Sequence, residues 1–503
     1  MAIKITLLDL LTARQSSKDL IQDSSNILST HPMLFGQCGN QIGSAFWPLA
    51  LHEYGIETSS GGVNQLKFQK DHKKNIDDLA DAFHSFFYVP DNSGKFSFKR
   101  ISDLNSAKVK ARAVLIDMED SVVSRFKQGP LRNLFDQTCT VTNYPGSGNN
   151  WAVGYYTHGR NYHDKLEETI RKTAERCDSL HGFLLTHSLG GGTGSGLGTA
   201  TLSLLADEYP HVDKFLSSVH PAAAQDVITA PYNVLLASKE LIDHATCVFP
   251  ADNGALLDIC NSQICKKDNV DQLNYNATCK PFQDMNSIVV NMLLHLTSGA
   301  RFPGSLNTDM NDLVTNLVPY PQLHYIFSSV SPISMTAPKL TITKKTKVQD
   351  ELFMNAWSRS HQLIKLDPLN PKSVIISAGH IARGNCSMDD MIRNIQRFQN
   401  KAKFTPWSKE VMKIGLCNVP PAGHPASLLC LLNSTSMRLM LKNIINQFEK
   451  LYQRKAHAHH YLEVDGFEAE HFDEAKESIK VVCDRYREVE RQIPHNIPRL
   501  KVK

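Results

Sequence analysis

The run Gly190-Gly191-Gly192-Thr193-Gly194-Ser195-Gly196 constrains this chain more than any other segment, because five of its seven residues are glycine. It stands between a strand-like apolar run, Phe183 to Leu185, and an apolar helical pattern that begins near Leu197. Glycines lack Cβ atoms, so successive backbone N–H groups in such a loop can converge on an anion at the positive end of the following helix. A flexible linker would not sit so tightly between a buried strand and a helix. The run therefore reads as a phosphate cradle. It has no Lys of the Walker A type, and Ser195 stands where the dinucleotide fingerprint needs its third glycine. Both common nucleotide motifs are excluded, and the missing dinucleotide fingerprint disfavours a nicotinamide-dependent dehydrogenase.

A cradle of this kind needs a sheet behind it. From about Phe35 to Tyr209, strand-like runs alternate with helical patterns, the order expected of an α/β domain with a parallel sheet. Ala113 to Ile116 and Phe183 to Leu185 are the clearest strands. Phe282, Met285, Ile288, Val289, Met292, Leu293 and Leu296 recur at steps of three and four and predict a long, buried helix. A strand-rich segment follows from about Pro319 to Pro420, then helices over Leu439 to Tyr452 and Glu470 to Val489. We expect an extension over 1–32, a nucleotide-binding domain over 33–281, a central helix over 282–301, an intermediate domain over 302–436 and C-terminal helices over 437–503. Polar inserts are expected at 59–110 and 266–280. Thr30 to Phe35 supplies at most three strand-like residues before Gly36, and Pro32 cannot donate to a central ladder. The first strand is thus expected to be weak or to be replaced by Ile3 to Leu8.

Composition narrows the partners. With 54 Lys plus Arg against 50 Asp plus Glu, the formal charge is +4, and no segment is strongly basic, so no nucleic-acid partner is expected. The 11 cysteines include no C-x-x-C pair, which favours reduced thiols over a zinc or redox site. No apolar run approaches the roughly 18 residues that span a bilayer. No membrane partner and a cytoplasmic location are expected.

Three further segments make sense beside the cradle. Asp117 and Glu119 follow the strand Ala113 to Ile116, where alternation would set both carboxylates on one side to hold waters on a Mg²⁺ that bridges phosphates. Alone, the pair also fits a solvated acidic turn. Gly146-Ser147-Gly148-Asn149-Asn150 offers more N–H groups to phosphate, or a simple surface turn. Gly36-Gln37-Cys38-Gly39-Asn40-Gln41-Ile42-Gly43 brings amides to the start of a helix. His457, His459 and His460 lack the carboxylate or thiolate spacing of a metal site and fit an exposed helix end or a partner surface.

In this order the loops resemble those of the tubulin family, and the likeness runs from about Phe35 to about Val489. Segments such as Arg112 to Glu119, Asn149 to Gly154, Pro321 to Tyr325 and Lys455 to Tyr461 differ from alpha and beta subunits and are similar to specialised tubulins. The resemblance implies a tubulin-like GTP-binding domain, a central helix, an α+β intermediate domain, a C-terminal helical hairpin, and GTP or GDP with Mg as ligands. It puts Gln37, Cys38 and Gln41 against phosphate and base, and Asn149, Ser188, Gly191, Gly192, Thr193 and Gly194 around the phosphates. Asp226 would approach the ribose, Asn253 and Asn286 would read guanine, and Phe282 would stack on it. Asp309 and Asp312 would orient water at the nucleotide of the next subunit. Two solvated aspartates in a first helical turn are the plainer alternative.

Departures temper that expectation. Ala230 replaces an acidic ribose contact, Phe282 replaces Tyr, and Asp312 is one methylene shorter than the usual Glu, which predicts weak, partner-dependent hydrolysis. The chain ends Pro498-Arg-Leu-Lys-Val-Lys503 without an acidic tail. The resemblance implies other tubulin subunits and centriolar or basal-body proteins as partners, at the cytoskeleton and the centrosome, centriole, basal body or cilium. A polymerising GTPase of ordinary cytoplasmic microtubules is the alternative.

Overall fold

The computed structural model describes residues 28–56, 83–89, 101–128, 131–177, 179–222, 227–265, 281–302, 304–333 and 348–491. Ile3 to Leu8, Asp226, the 266–280 insert, most of the 59–110 insert and the Lys344 to Lys347 run lie outside these residues.

The first half alternates strands and helices as expected. Its strands are β1 (Leu28–Phe35), β2 (Phe87–Tyr88), β3 (Lys110–Ala111), β4 (Val114–Asp117), β5 (Thr140–Thr142), β6 (Ser179–Ser188), β7 (Asp213–His220) and β8 (Cys247–Asp252). Between and after them run α1 (Gly36–Glu53), α2 (Asp120–Gln128), α3 (Gly159–Ala174), α4 (Gly198–Glu208), α5 (Ala230–His244) and α6 (Asn253–Cys265). Six strands form one sheet in the order β5-β4-β1-β6-β7-β8, and all its pairings are parallel. The fold is α/β with helices on both faces. Alternation explains the two layers: Met33 and Phe35, Val114 and Ile116, and Phe183 and Leu185 enter one core, while Leu34, Leu115 and Leu184 enter the other.

The second half adds α7 (Pro281–Leu296), α8 (Met310–Leu317), β9 (Phe327–Ser331), α9 (Val348–Ala356), β10 (Ile375–Gly384), α10 (Met388–Lys401), β11 (Lys413–Cys417), β12 (Ala426–Ser434), α11 (Met437–Tyr452) and α12 (Glu470–Arg491). Its strands form a mixed sheet in the order β11-β10-β12-β9. The predicted long helix is α7, which packs on α1. Helices α5, α11 and α12 pack together on the opposite face.

One ionic cluster joins these layers. Glu53, at the end of α1, lies between Arg301 (Nη1 to Oε2, 2.6 Å) and Arg383 of β10 (Nη1 to Oε1, 2.9 Å), and all three side chains are fully buried. Burial would raise the Glu53 pKa, yet the Arg383 and Arg301 guanidinium groups hold it below its ordinary value.

The first strand overturns the expectation for Thr30 to Phe35. β1 is eight residues long and central, with Pro32 opposite Leu184 of β6. Its pairing with β4 begins only at Met33. The proline therefore sits where only one side of the strand is laddered, and a missing N–H is tolerated there.

Candidate functional site

Strands of an open parallel sheet present ligands at their C-terminal ends, and the expected loops meet there. β6 ends at Ser188, and the glycine run passes through Gly192 into a wide helical turn, Thr193–Leu197, that continues as α4. Close packing demands the glycines. A Cβ on Gly192 would lie 2.7 Å from both the Asn150 nitrogen and the Ser147 Cβ, and one on Gly196 would lie 2.3 Å from the Trp151 carbonyl oxygen. Gly36 adopts φ +64, and its Cβ position is 3.2 Å from the Gly194 nitrogen. The first loop, the Gly146 loop and the glycine run thus form one continuous backbone surface.

Asn149 and Ser188 flank Gly191, with Asn149 Oδ1 and Ser188 Oγ at 3.8 and 3.9 Å from its Cβ position. Thr193 Oγ1 is 3.1 Å from Ser147 Oγ. Gln37 is exposed at the start of α1, Gln41 is half-buried one turn later, and burial pushes the Cys38 thiol up to about 12. A neutral thiol suits a wall against phosphate better than a nucleophile does. Asn253 opens α6 directly after β8. Phe282 is exposed and Asn286 half-buried, one turn apart on α7, which packs against both α1 and α6.

The acidic pair differs from its expected arrangement. β4 ends at Asp117, so strand alternation does not reach Glu119: Asp117 is buried and Glu119 is exposed. Glu119 nonetheless turns toward the Gly146 loop, with Oε1 2.7 Å from the Gly146 Cβ position. Asp117 Oδ1 accepts the Glu119 N–H at 3.3 Å, while Oδ2 is buried without a hydrogen-bond partner. Burial first, with the Glu119 charge beside it, raises the Asp117 pKa to about 7. An orphaned carboxylate oxygen at this place fits a cation and its waters.

Two buried asparagines that the sequence reading did not select hold the loops together. Asn233 of α5 donates to the carbonyls of Asn149 and Gly190, both at 2.8 Å, and accepts from the Trp151 N–H at 2.9 Å and the Tyr461 hydroxyl at 2.5 Å. Asn40 donates to the Gly36 carbonyl at 2.9 Å and the Ile116 carbonyl at 3.1 Å. The signal available for Asn233 was a lone amide in the apolar helical run Tyr232 to Leu236.

Asp309 and Asp312 lie elsewhere. Asp309 caps α8, accepting the Asp312 N–H at 2.7 Å, and faces His181 at 3.6 Å; Asp312 pairs with Lys413 at 3.0 Å. They do not share a helical face as expected, because Asp309 sits outside the helix as its cap. The His181 ring beside it holds the Asp309 carboxyl below its ordinary value. His181 and Ser188 lie at opposite ends of β6, about 23 Å apart at the rise of a parallel strand.

His457 and His460 line a cavity of about 500 Å³ beside Ser147 to Asn150, and the His460 carbonyl accepts from Asn150 Nδ2 at 2.8 Å. Among the described residues, the only three-residue cluster with metal-ligating spacing is His163 and Asp164, both exposed, with half-buried Glu167, and no helix is long and apolar enough to cross a membrane.

Comparison with known proteins accounts for this geometry. Residues 33–261 match the Tubulin/FtsZ family GTPase domain, and residues 321–446 match the tubulin C-terminal domain. The chain is 44% identical to the tubulin epsilon chain of Mus musculus over 93% of its own length and 98% of that protein. It is 43% identical to the tubulin epsilon chain of Homo sapiens over the same shares. Identity falls to 31% with the tubulin beta chain of Coprinopsis cinerea, over 90% of this chain and 93% of that one. The matched GTPase domain implies that the chain binds GTP or GDP, and the cradle lies within its limits. By these matches the chain is a cytoskeletal protein and belongs to the tubulin family.

Proposed function

We propose that this chain is a guanine-nucleotide-binding tubulin of the epsilon type, a structural and regulatory component of centrioles and basal bodies that organises doublet and triplet microtubules. The observation that carries the reading is the separation along β6, with the cradle at one end and Asp309 and Asp312 at the other. One copy cannot bring both ends to the same phosphate. In an end-to-end stack, the α8 end of one subunit would meet the nucleotide of the next. Asp312, the more exposed of the two carboxylates, would then orient the attacking water, with Asp309 fixing the helix that presents it.

In this reading Gln37, Cys38 and Gln41 border phosphate and base, and Asn149, Ser188 and Gly191 to Gly194 hold the phosphates. Asn253 and Asn286 read guanine beside Phe282, and Asp226 reaches the ribose. Asp117 and Glu119 hold the waters of Mg²⁺, which would neutralise phosphate charge. The domain limits at 33–281, 282–301, 302–436 and 437–503 belong to the same proposal, as do centriolar and basal-body partners at the centrosome and cilium.

Denaturing purified protein and identifying what it releases tests the site; an empty protein, or one holding an adenine nucleotide, would overturn it. Tagged protein should concentrate at basal bodies. Efficient incorporation along cytoplasmic microtubules instead would favour an ordinary polymerising tubulin. Turnover measured with a longitudinal partner should fall in Asp312→Ala, and equal rates would remove the catalytic role.

A further inference from the structure

A second cavity, of about 360 Å³, lies on the face of the sheet opposite α1 and α7. It opens between the ends of β7 and β8, helix α5 and helix α11. Val234, Leu439 and Ile444 supply its apolar wall, and His220, Asp252 and Asn443 its polar one. That volume falls within the range of small-molecule pockets, and an apolar wall with a few convergent polar groups is their usual chemistry.

His220 is the first pointer to a ligand. Its ring is 8% exposed, and its Nε2 is buried without a hydrogen-bond partner. Burial first, with His187 nearby, pushes its pKa down to about 4, so it stands as a neutral imidazole with hydrogen-bonding capacity unused. A buried polar group left in that state costs free energy that a ligand can recover.

Asp252 is the second pointer. One of its oxygens accepts the Gly254 N–H at 2.9 Å. Burial raises its pKa above the ordinary carboxylate value, so a cation brought to it gains. The neighbouring Lys365 offsets this charge only in part, because its ammonium pairs directly with Asp258 at 2.8 Å.

We propose that this cavity binds a small organic cation, a protonated amine carried on an apolar body. The ammonium donates to Asp252 and Asn443, the body lies along Leu439 and Ile444, and His220 meets a further polar atom of the ligand. The cavity abuts the nucleotide cradle, since Pro221 of its lining lies 3.3 Å from the Gly190 Cβ position and Asp252 directly precedes Asn253.

Titration of the full chain with 4-phenylbutylamine, 4-phenylbutanol and 4-phenylbutyrate, followed by ligand-observed NMR, tests it. The three probes share one body and differ in charge. The amine should bind about tenfold tighter than the alcohol, the scale of one charge-assisted hydrogen bond, and the acid should bind weakest. Asp252→Asn should remove the preference for the amine. Leu439→Trp, at a partly exposed rim position, should weaken all three. Nucleotide content, measured on each variant, separates loss of this site from damage at the cradle. Equal binding of the three probes, a preference for the amine that survives Asp252→Asn, or no saturable amine binding below about 10 mM would overturn the proposal.

Discussion

The two ends of β6 do opposite things with charge. At Ser188 the strand delivers the chain into glycines and neutral amides, where loops touch backbone to backbone and Asn233 ties Asn149, Gly190 and Trp151 together. At His181 it meets paired side chains, His181 with Asp309 and Lys413 with Asp312, in partial contact with solvent. The first end is built by shape and the second by electrostatics. Shape in a dry, close-packed region tolerates no added atom, whereas ion pairs at a surface are screened and individually weak.

That contrast is easiest to break at the cradle. Gly196→Ala forces a Cβ to 2.3 Å from the Trp151 carbonyl oxygen, so it should abolish nucleotide retention and destabilise the fold by about 3 kcal/mol, read from a denaturant midpoint. Wild-type nucleotide content in this variant would show that the loops are not packed by shape. Asn233→Leu keeps the branched shape but leaves the Gly190 carbonyl without its Asn233 donor and the Asn149 carbonyl with Thr229 Oγ1 at 3.2 Å in place of two donors. Its expected cost is about 2 kcal/mol, with faster nucleotide release in a chase experiment. Unchanged release would mean that the loops hold themselves.

A smaller effect per substitution follows from each of the buried histidines. Burial depresses His31 and His295 to about 3, and His187, His220, His324 and His380 to about 4, from 6.5. The unfolded chain takes up protons below 6.5 that the folded chain refuses until its own lower values are reached. Stability therefore falls as pH drops from 6.5 toward 4, by about 1.4 kcal/mol per pH unit for each such histidine. Replacing His187 with Gln should flatten the slope by one proton, and an unchanged slope would remove His187 from this set. The smallest effect is expected at the other end of β6. Asp312→Ala should change stability by less than about 1 kcal/mol and leave bound nucleotide in place. If it instead emptied the cradle, the two ends would not be separate in function.

Much of this was legible in the sequence, and for definite reasons. The strand before the glycine run, the period of Phe282 to Leu296 and the order of the loops all follow from local pattern. β1 was not legible, because Pro32 reads as a strand breaker until its neighbour on one side is known to start late. Asp117 and Glu119 were found, yet their unequal burial depends on where β4 stops. Asn233 and Asn40 escaped because a buried amide declares itself only through the carbonyls it meets, and those lie far away in the chain. The pairing of Asp309 with His181 escaped for the same reason.

The buried trio of Glu53, Arg301 and Arg383 has a mechanical meaning. Hydrophobic layers can slide by small steps and recover their contacts, but a carboxylate held by two guanidinium groups in a dry interior has no equivalent position nearby. The trio thus resists shear between the nucleotide-bearing sheet and the mixed sheet, alongside the backbone bonds that join Val248 of β8 to His324 and Ile326. Force entering through β10 reaches the far end of α1, whose opposite end is Gly36 at the lip of the cradle. Helix α1 thus runs from the buried trio at one end to the lip of the cradle at the other.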